Sequence, residues 1–164
     1  MQLIEQVLER LGLTLNPAKT KLVNAREEHF DFLGFAIGMR RSRRSGKVYA
    51  HVQPAAKALK KIKHRVTELT ARCNNPLPSE LLVQQLNRVL RGWVGYFHYR
   101  NCSTVLERLK WHVEERVRTH LRKRHRVPTR GAAFRRFGSE ALYGHYGLYK
   151  IPTTAGWTTA HASR

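Results

Sequence analysis

The sequence has few acidic residues, few cysteines and no long apolar run. Against 31 Lys and Arg it has only 11 Asp and Glu, which gives a formal net charge of +20 over 164 residues. A chain with this excess repels itself and predicts a polyanionic partner, most commonly nucleic acid, because each neutralised phosphate releases a condensed counterion. A merely soluble, basic protein is the alternative. A membrane surface is not expected as a partner, because it would also need an apolar or lipidated anchor, and neither is visible.

The two cysteines, Cys73 and Cys102, form neither a CxxC pair nor a disulfide framework. This predicts a reducing, intracellular setting, and we expect a cytoplasmic protein. The nine histidines show no metal-binding spacing, so we predict no metal site and no cofactor in this chain. No stretch reaches the roughly 18 apolar residues of a membrane span. We expect no signal peptide, since Glu5 and Glu9 interrupt the first apolar residues.

Hydrophobic periodicity predicts an α+β fold that is mainly α-helical. Residues 2–12 have apolar residues at helical spacing, which predicts a short amphipathic helix. The β-prone runs 30–37 and 47–52 flank a basic loop at residues 38–46, and they predict a β-hairpin with a charged tip. From Pro54 onward three apolar stripes predict a basic three-helix bundle. The stripes are Leu59, Ile62, Val66 and Leu69, then Leu82, Leu86, Val89, Trp93 and Phe97, then Leu106, Leu109, Val113, Val117 and Leu121.

These patterns divide the chain into three regions. Residues 1–52 hold the short α/β piece, residues 53–126 the helical unit, and residues 127–164 a Gly- and Tyr-rich segment with a short helix near 139–143 and a tail. Two caps are predicted from the sequence. Ser79 is expected to cap the second helix, and Thr104 with Glu107 is expected to form a capping box on the third.

The positive charge lies in two blocks. No acid occurs between Asp31 and Glu68, where there are ten Lys or Arg, and none between Glu115 and Glu140, where there are nine. Like charges on one helix face destabilise it unless something neutralises them, so we interpret both blocks as phosphate-binding surfaces. A solvated face is the alternative, and for the hairpin tip a disordered loop. The candidate RNA-binding residues are Arg40, Arg41, Arg43, Arg44, Lys47, Lys57, Lys60, Lys61, Arg88, Arg91, Arg118, Arg122 and Lys123.

The aromatic residues allow two interpretations. Trp93 and Phe97 follow helical spacing and are expected in the core, with Gly92 allowing a close helix approach. Four tyrosines either stack on unpaired bases or pack with a wet hydroxyl. These are Tyr99, Tyr143, Tyr146 and Tyr149.

Three segments together resemble the reverse transcriptases encoded by group II introns. Residues 12–20 (GLTLNPAKT) are similar to the G-L-x-L-x-x-x-K-T segment of the palm that follows the catalytic Asp-Asp hairpin. Residues 30–35 (FDFLGF) resemble the F-x-F-L-G-F hairpin that grips the primer end. Residues 86–97 (LNRVLRGWVGYF) resemble the family's maturase signature and are the most specific of the three. Residues 141–148 also resemble the family's usual ending, so the resemblance covers nearly the whole chain.

The resemblance implies an architecture and a function. Residues 1–52 would be the last edge of the palm, with Lys19 near the incoming nucleotide. The helices from Pro54 would form the thumb, or domain X, which binds the intron RNA and helps it fold into its splicing-competent form. Structured group II intron RNA is therefore the expected partner, while a DNA target and a separate palm-containing polypeptide stay open. The primer-grip-like residues would be Phe32, Leu33, Gly34 and Phe35.

One departure from the family concerns catalysis. Polymerisation needs paired carboxylates that hold two divalent metals. In the family they precede the Lys-Thr motif, but only 12 residues precede Leu13 and none is aspartate, since Asp31 is the sole Asp. We therefore expect no catalytic residue and no polymerase activity from the chain alone, and Mg²⁺ would belong to bound RNA or to a missing palm. Two alternatives stay open, a C-terminal subunit of a reverse transcriptase and a non-specific basic remnant. The apolar face of the first helix is expected to be exposed or to dock a partner.

Overall fold

The computed structural model describes residues 2–14, 16, 20 and 23–156, without the side chains of residues 2–5. The described fold is a small antiparallel sheet followed by helices, which confirms the prediction of a mainly α-helical α+β protein. The helices are α1 (Gln2–Arg10), α2 (Ala56–Leu69), α3 (Ser79–Phe97), α4 (Ser103–Arg124) and α5 (Arg130–Arg136), with a 3-10 turn at Arg72–Asn74 and a π-helical turn at Ala141–His145. The strands are β1 (Phe30–Phe32), β2 (Phe35–Arg41) and β3 (Val48–Pro54).

The sheet has the order β1-β2-β3, and both neighbouring pairs are antiparallel. The predicted hairpin is present as β2 and β3, but its predicted first strand, residues 30–37, is wrong as one strand, because a turn at Leu33 and Gly34 divides it into β1 and β2. Strand β2 continues to Arg41, so the basic loop is shorter than predicted and Gly38 lies inside the strand. A side chain at Gly38 would collide with the ring of His29, which explains the glycine. The basic tip is a hydrogen-bonded turn, in which the Ser42 amide donates to the Lys47 carbonyl oxygen at 2.8 Å.

The core lies between α2, α3 and α4. Each predicted stripe contributes to it, and the fully buried side chains include those of Val66, Leu86, Leu90, Leu106 and Leu109. The edge positions of the stripes, such as Leu59 and Trp93, are only partly buried. Three amphipathic helices joined by short connections thus bury their apolar stripes against one another.

The segment after α4 packs into the same core. Phe137, Leu142, Leu148 and Ile151 are buried and join the cluster formed by the helices. Helix α5 was not predicted, because only Ala133 of its seven residues is buried and no apolar stripe marks it. Residues 127–156 are thus part of the folded unit.

Both predicted helix caps are wrong. Helix α3 starts at Ser79, whose side chain is buried inside the first turn, and its N-cap position is Pro78. Helix α4 starts one residue before Thr104, and its N-cap position is Cys102, without a side-chain cap. The described side chains on the apolar face of α1 fit the expected exposure, since Val7 is 51% and the following Leu11 67% exposed. Lys19 lies outside the described residues.

Candidate nucleic-acid interface

The β2–β3 hairpin carries the first group of predicted cations. Arg40 and Arg41 end strand β2, and the turn that follows adds the rest; all five predicted cations of the hairpin are exposed. On β3, the buried His51 approaches the Tyr49 hydroxyl at 3.5 Å and the Gln53 side-chain oxygen at 3.2 Å. Burial lowers the pKa of His51, and the charge of Arg40 adds to this effect. The hairpin therefore owes its positive charge at neutral pH to arginine and lysine.

Helix α2 presents a second group, Lys57, Lys60 and Lys61, all exposed. A groove of about 410 Å³ runs between this helix and α3, with Lys61 and Arg65 on its rim. Its floor is apolar and includes Val89 and Trp93. Cations above an apolar, partly aromatic floor match the two parts of a nucleotide, phosphate and base.

Helix α3 divides its polar residues between packing and solvent. The Asn87 amide donates to the Gly147 carbonyl oxygen at 2.8 Å, and its own oxygen accepts from the Tyr149 amide at 2.7 Å. The guanidinium of Arg91 lies 4.8 Å from the centre of the Tyr149 ring. Asn87 and Arg91 thus hold the C-terminal segment, whereas Arg88 points to solvent.

Gly92 does not pack closely against another helix. It is exposed, and nothing lies within 4 Å of where its Cβ would be. The expected close approach is therefore wrong, and this glycine leaves an open stretch of helix backbone beside Arg88. Trp93 is partly buried and its ring lies 4.5 Å from that of Phe97, as its helical spacing predicted.

Three arginines of α4 that look alike in the sequence have different environments in the structure. Arg118 is 5% exposed, its Nε donates to the Phe137 carbonyl oxygen at 3.0 Å, and its guanidinium lies 3.8 Å from the Phe134 ring centre. Arg118 was expected to contact RNA, but this packing leaves it inaccessible, so it is not part of the candidate interface. Arg124 donates to the carbonyl oxygens that precede α3. Arg122 is partly exposed.

The acids of α4 are matched internally. Glu115 forms ion pairs with Arg130 at 2.7 Å and with Arg118 at 3.4 Å. Glu114 accepts a short hydrogen bond from Tyr143, and burial, followed by this bond, raises the pKa of that hydroxyl. Because these carboxylates are occupied, they do not neutralise Lys123 and the other exposed cations nearby.

The tyrosines now divide between the two interpretations. Tyr143, Tyr146 and Tyr149 are partly buried against the core, which makes them packing residues. Tyr99 lines a second groove of about 410 Å³ next to Tyr96. This groove lies between the sheet and the end of α3.

Three of the four primer-grip-like residues, Phe32, Leu33 and Phe35, line that second groove. Phe32 is 58% and Leu33 68% exposed, and Phe35 contacts the end of α3 with its ring 5.1 Å from that of Phe97. Gly34 accepts a hydrogen bond from the Ala55 amide at 2.8 Å, which fixes the turn to the start of α2. These residues lie side by side at an open apolar surface.

Sequence reasoning missed Trp111, which is 64% exposed on α4. It lies between Leu109 and Val113 in the sequence but off the apolar stripe of that helix. This position could have indicated its exposure. Tyr96, Arg65 and Arg100 were also missed as groove residues. Their neighbours come from other elements, so their placement depends on the tertiary fold.

Two kinds of site are absent from the residues that the structure describes. Within residues 2–14, 16, 20 and 23–156, His, Cys, Asp and Glu nowhere gather in a group that could hold a metal ion. Over the same residues, no helix combines the length and apolar character needed to span a membrane.

The fold and surfaces define a small α+β protein whose helices carry an excess of exposed cations. Comparison with protein families identifies the helical part: residues 59–138 match the group II intron, maturase-specific domain. The match begins inside α2 and ends just after α5, so the helical part of the chain is similar to a group II intron maturase domain. A comparison with curated proteins found no match.

Proposed function

We propose that this chain binds structured group II intron RNA and helps it reach its splicing-competent fold. The observation that carries the proposal is the maturase-domain match over residues 59–138, a region in which exposed cations also outnumber exposed acids. In this proposal the helical region from residue 53 binds RNA and residues 1–52 extend the surface through the hairpin.

The physical mechanism is selective binding. A-form RNA is recognised mainly by shape, through phosphate and 2′-hydroxyl contacts, so cations held on rigid helices suit it. Lys57 and Lys60 on α2 and Lys123 on α4 are exposed and have no ion pair with a described acidic residue. Binding the folded intron more tightly than its unfolded forms shifts the RNA population toward the folded state. The intron then carries out its own chemistry with its own Mg²⁺.

The experiment compares binding of the full chain to a folded group II intron RNA and to an unrelated structured RNA of equal length. It is done near physiological salt with competitor RNA present, because low salt exaggerates non-specific binding. Selective binding to the intron is expected. Equal affinity for both RNAs would favour the alternative of a non-specific basic surface and would overturn the proposal.

A second candidate is a subunit of a reverse transcriptase whose catalytic palm lies on another polypeptide. The observation that favours it is the exposed apolar surface of Phe32 and Leu33, placed beside Tyr96 at an open groove. In that role this groove would hold the end of a primer strand, and DNA would be a second ligand. Binding of a primer–template duplex that Phe32→Ala weakens, while intron binding is unchanged, would support this second role.

A further inference from the structure

Helix α4 carries an exposed tryptophan beside several polar side chains. Trp111 is 64% exposed, and no aromatic or guanidinium stacking partner lies on it among the described residues. A groove of about 440 Å³ adjoins it. The groove is lined by Lys63, Thr104, Glu107, Arg108 and Trp111.

The charged side chains around this tryptophan have no partner among the described residues. Lys63, Glu107 and Arg108 form no side-chain hydrogen bond or ion pair with another residue that the structure describes. Three other carboxylates of α2 and α4, those of Glu68, Glu114 and Glu115, are paired with cations. The groove therefore combines an exposed aromatic ring with two cations and one carboxylate that pair with no other described side chain.

We propose that this groove binds one unpaired nucleotide of an RNA, with its base stacked on Trp111. The inference rests on the proposed RNA binding and names one contact within it. Lys63 and Arg108 take the adjoining phosphates, which is the charge complementarity that favours RNA over an apolar protein segment. Stacking on an aromatic side chain is the usual way in which proteins hold a base splayed out of a loop or bulge.

Glu107 would repel a phosphate, and its position indicates a different role. It lies four residues before Trp111, so both side chains are on one face of α4. A carboxylate only accepts hydrogen bonds, so it pairs with N–H groups on the edge of a stacked base. Guanine offers two adjacent donors on its Watson–Crick edge and uracil only one, so the groove is expected to prefer guanine.

The test uses the full chain and three RNA hairpins with identical stems: one fully paired, one with a single bulged guanosine and one with a single bulged uridine. Trp111→Ala is expected to weaken binding of the bulged-guanosine hairpin on the order of tenfold or more, the usual range for loss of one base stack. It should leave the fully paired hairpin unaffected, and Trp111→Phe should keep most of the affinity. Leu81→Ala, at a side chain 47% exposed on α3, is the matched control for loss of an exposed apolar group.

Three outcomes would overturn the site. Trp111→Ala could behave like Leu81→Ala on the bulged hairpin, which would leave this surface to a protein partner. It could weaken the paired and the bulged hairpins equally. The wild-type chain could also bind the intron RNA selectively yet not distinguish bulged from paired hairpins, in which case this site fails and the proposed function stands. Failure of the wild-type chain to bind either the intron RNA or the hairpins would overturn both this site and the proposed function.

The role of Glu107 has its own readout. The wild-type chain should prefer the bulged guanosine to the bulged uridine, and Glu107→Gln should reduce that preference without removing the effect of Trp111→Ala. Equal binding of the two bulges by the wild-type chain would overturn the assignment of Glu107.

Discussion

The hydroxyl of Tyr96 on α3 donates a hydrogen bond to the carbonyl oxygen of Leu33 at 3.0 Å. Leu33 and Gly34 form the two-residue turn between β1 and β2, and both have positive φ, 48° and 84°. Glycine adopts such a backbone freely, but leucine does so at a cost. An exposed leucine is thus held in a strained turn, and α3 fixes that turn beside the open aromatic groove.

Replacing Leu33 by Asn is expected to stabilise the free protein by about 1 kcal/mol, because Asn-Gly is the favoured sequence for this turn. Leu33→Ala is the control, since it removes the apolar side chain but keeps the strain, and no stabilisation is expected from it. Urea denaturation measures both. Equal stability of the two variants would show that the turn is not strained.

Arg118→Ala is expected to lower the free energy of unfolding by about 2 kcal/mol, because it removes a buried cation that pairs with both Glu114 and Glu115. Its hydrogen bond to Phe137 is lost as well. Arg122→Ala, one turn further along α4, is the matched control and should change stability by less than about 0.5 kcal/mol. Arg122→Ala should instead weaken RNA binding. If both variants are equally stable, the structural role of Arg118 is wrong.

Asn87→Ala should destabilise the protein by about 2 kcal/mol, since it removes two hydrogen bonds to the C-terminal segment. The adjacent exposed residue gives the control, because Arg88→Ala should keep stability and reduce RNA affinity. Thermal unfolding and filter binding on both variants separate these effects. The account of Asn87 fails if the two variants have the same melting temperature.

Stability should fall as the pH drops below about 6.5, the ordinary pKa of histidine. Burial lowers the pKa of His120 and of His112 in the folded protein. At these two histidines the unfolded chain binds protons at a higher pH than the folded chain does, so acidification favours unfolding. His120→Leu removes one of these groups and should flatten the decline measured by denaturation at pH 7.5 and 5.5. An unchanged decline would mean that His120 is not the group responsible.

The sequence predicted the elements whose burial follows a regular period. Helices α2, α3 and α4 each bury an apolar stripe at helical spacing. The β2–β3 hairpin consists of two β-prone strands joined by a basic turn. Helix α5 was missed because seven residues with a single buried side chain give no period.

Single side chains were harder to predict, because their fate depends on neighbours from other elements. Arg118 and Arg122 are one turn apart in the same basic run, yet only Arg118 meets Phe134 and Phe137 of the later segment. Gly92 was expected to make a close contact, but its side of α3 faces no other element. The exposure of Trp111 could have been predicted, since its position between Leu109 and Val113 places it off the apolar stripe of α4.

The most direct measurement is the splicing rate of a group II intron RNA at a Mg²⁺ concentration too low for the RNA to fold by itself. The wild-type chain should accelerate splicing, and the triple variant Lys57→Ala, Lys60→Ala and Lys61→Ala should do so less, with a salt slope of RNA binding reduced by roughly two to three. Arg72→Ala, exposed in the turn after α2, is the charge-loss control and should splice like the wild type. Unchanged splicing in the presence of bound wild-type protein would contradict the account.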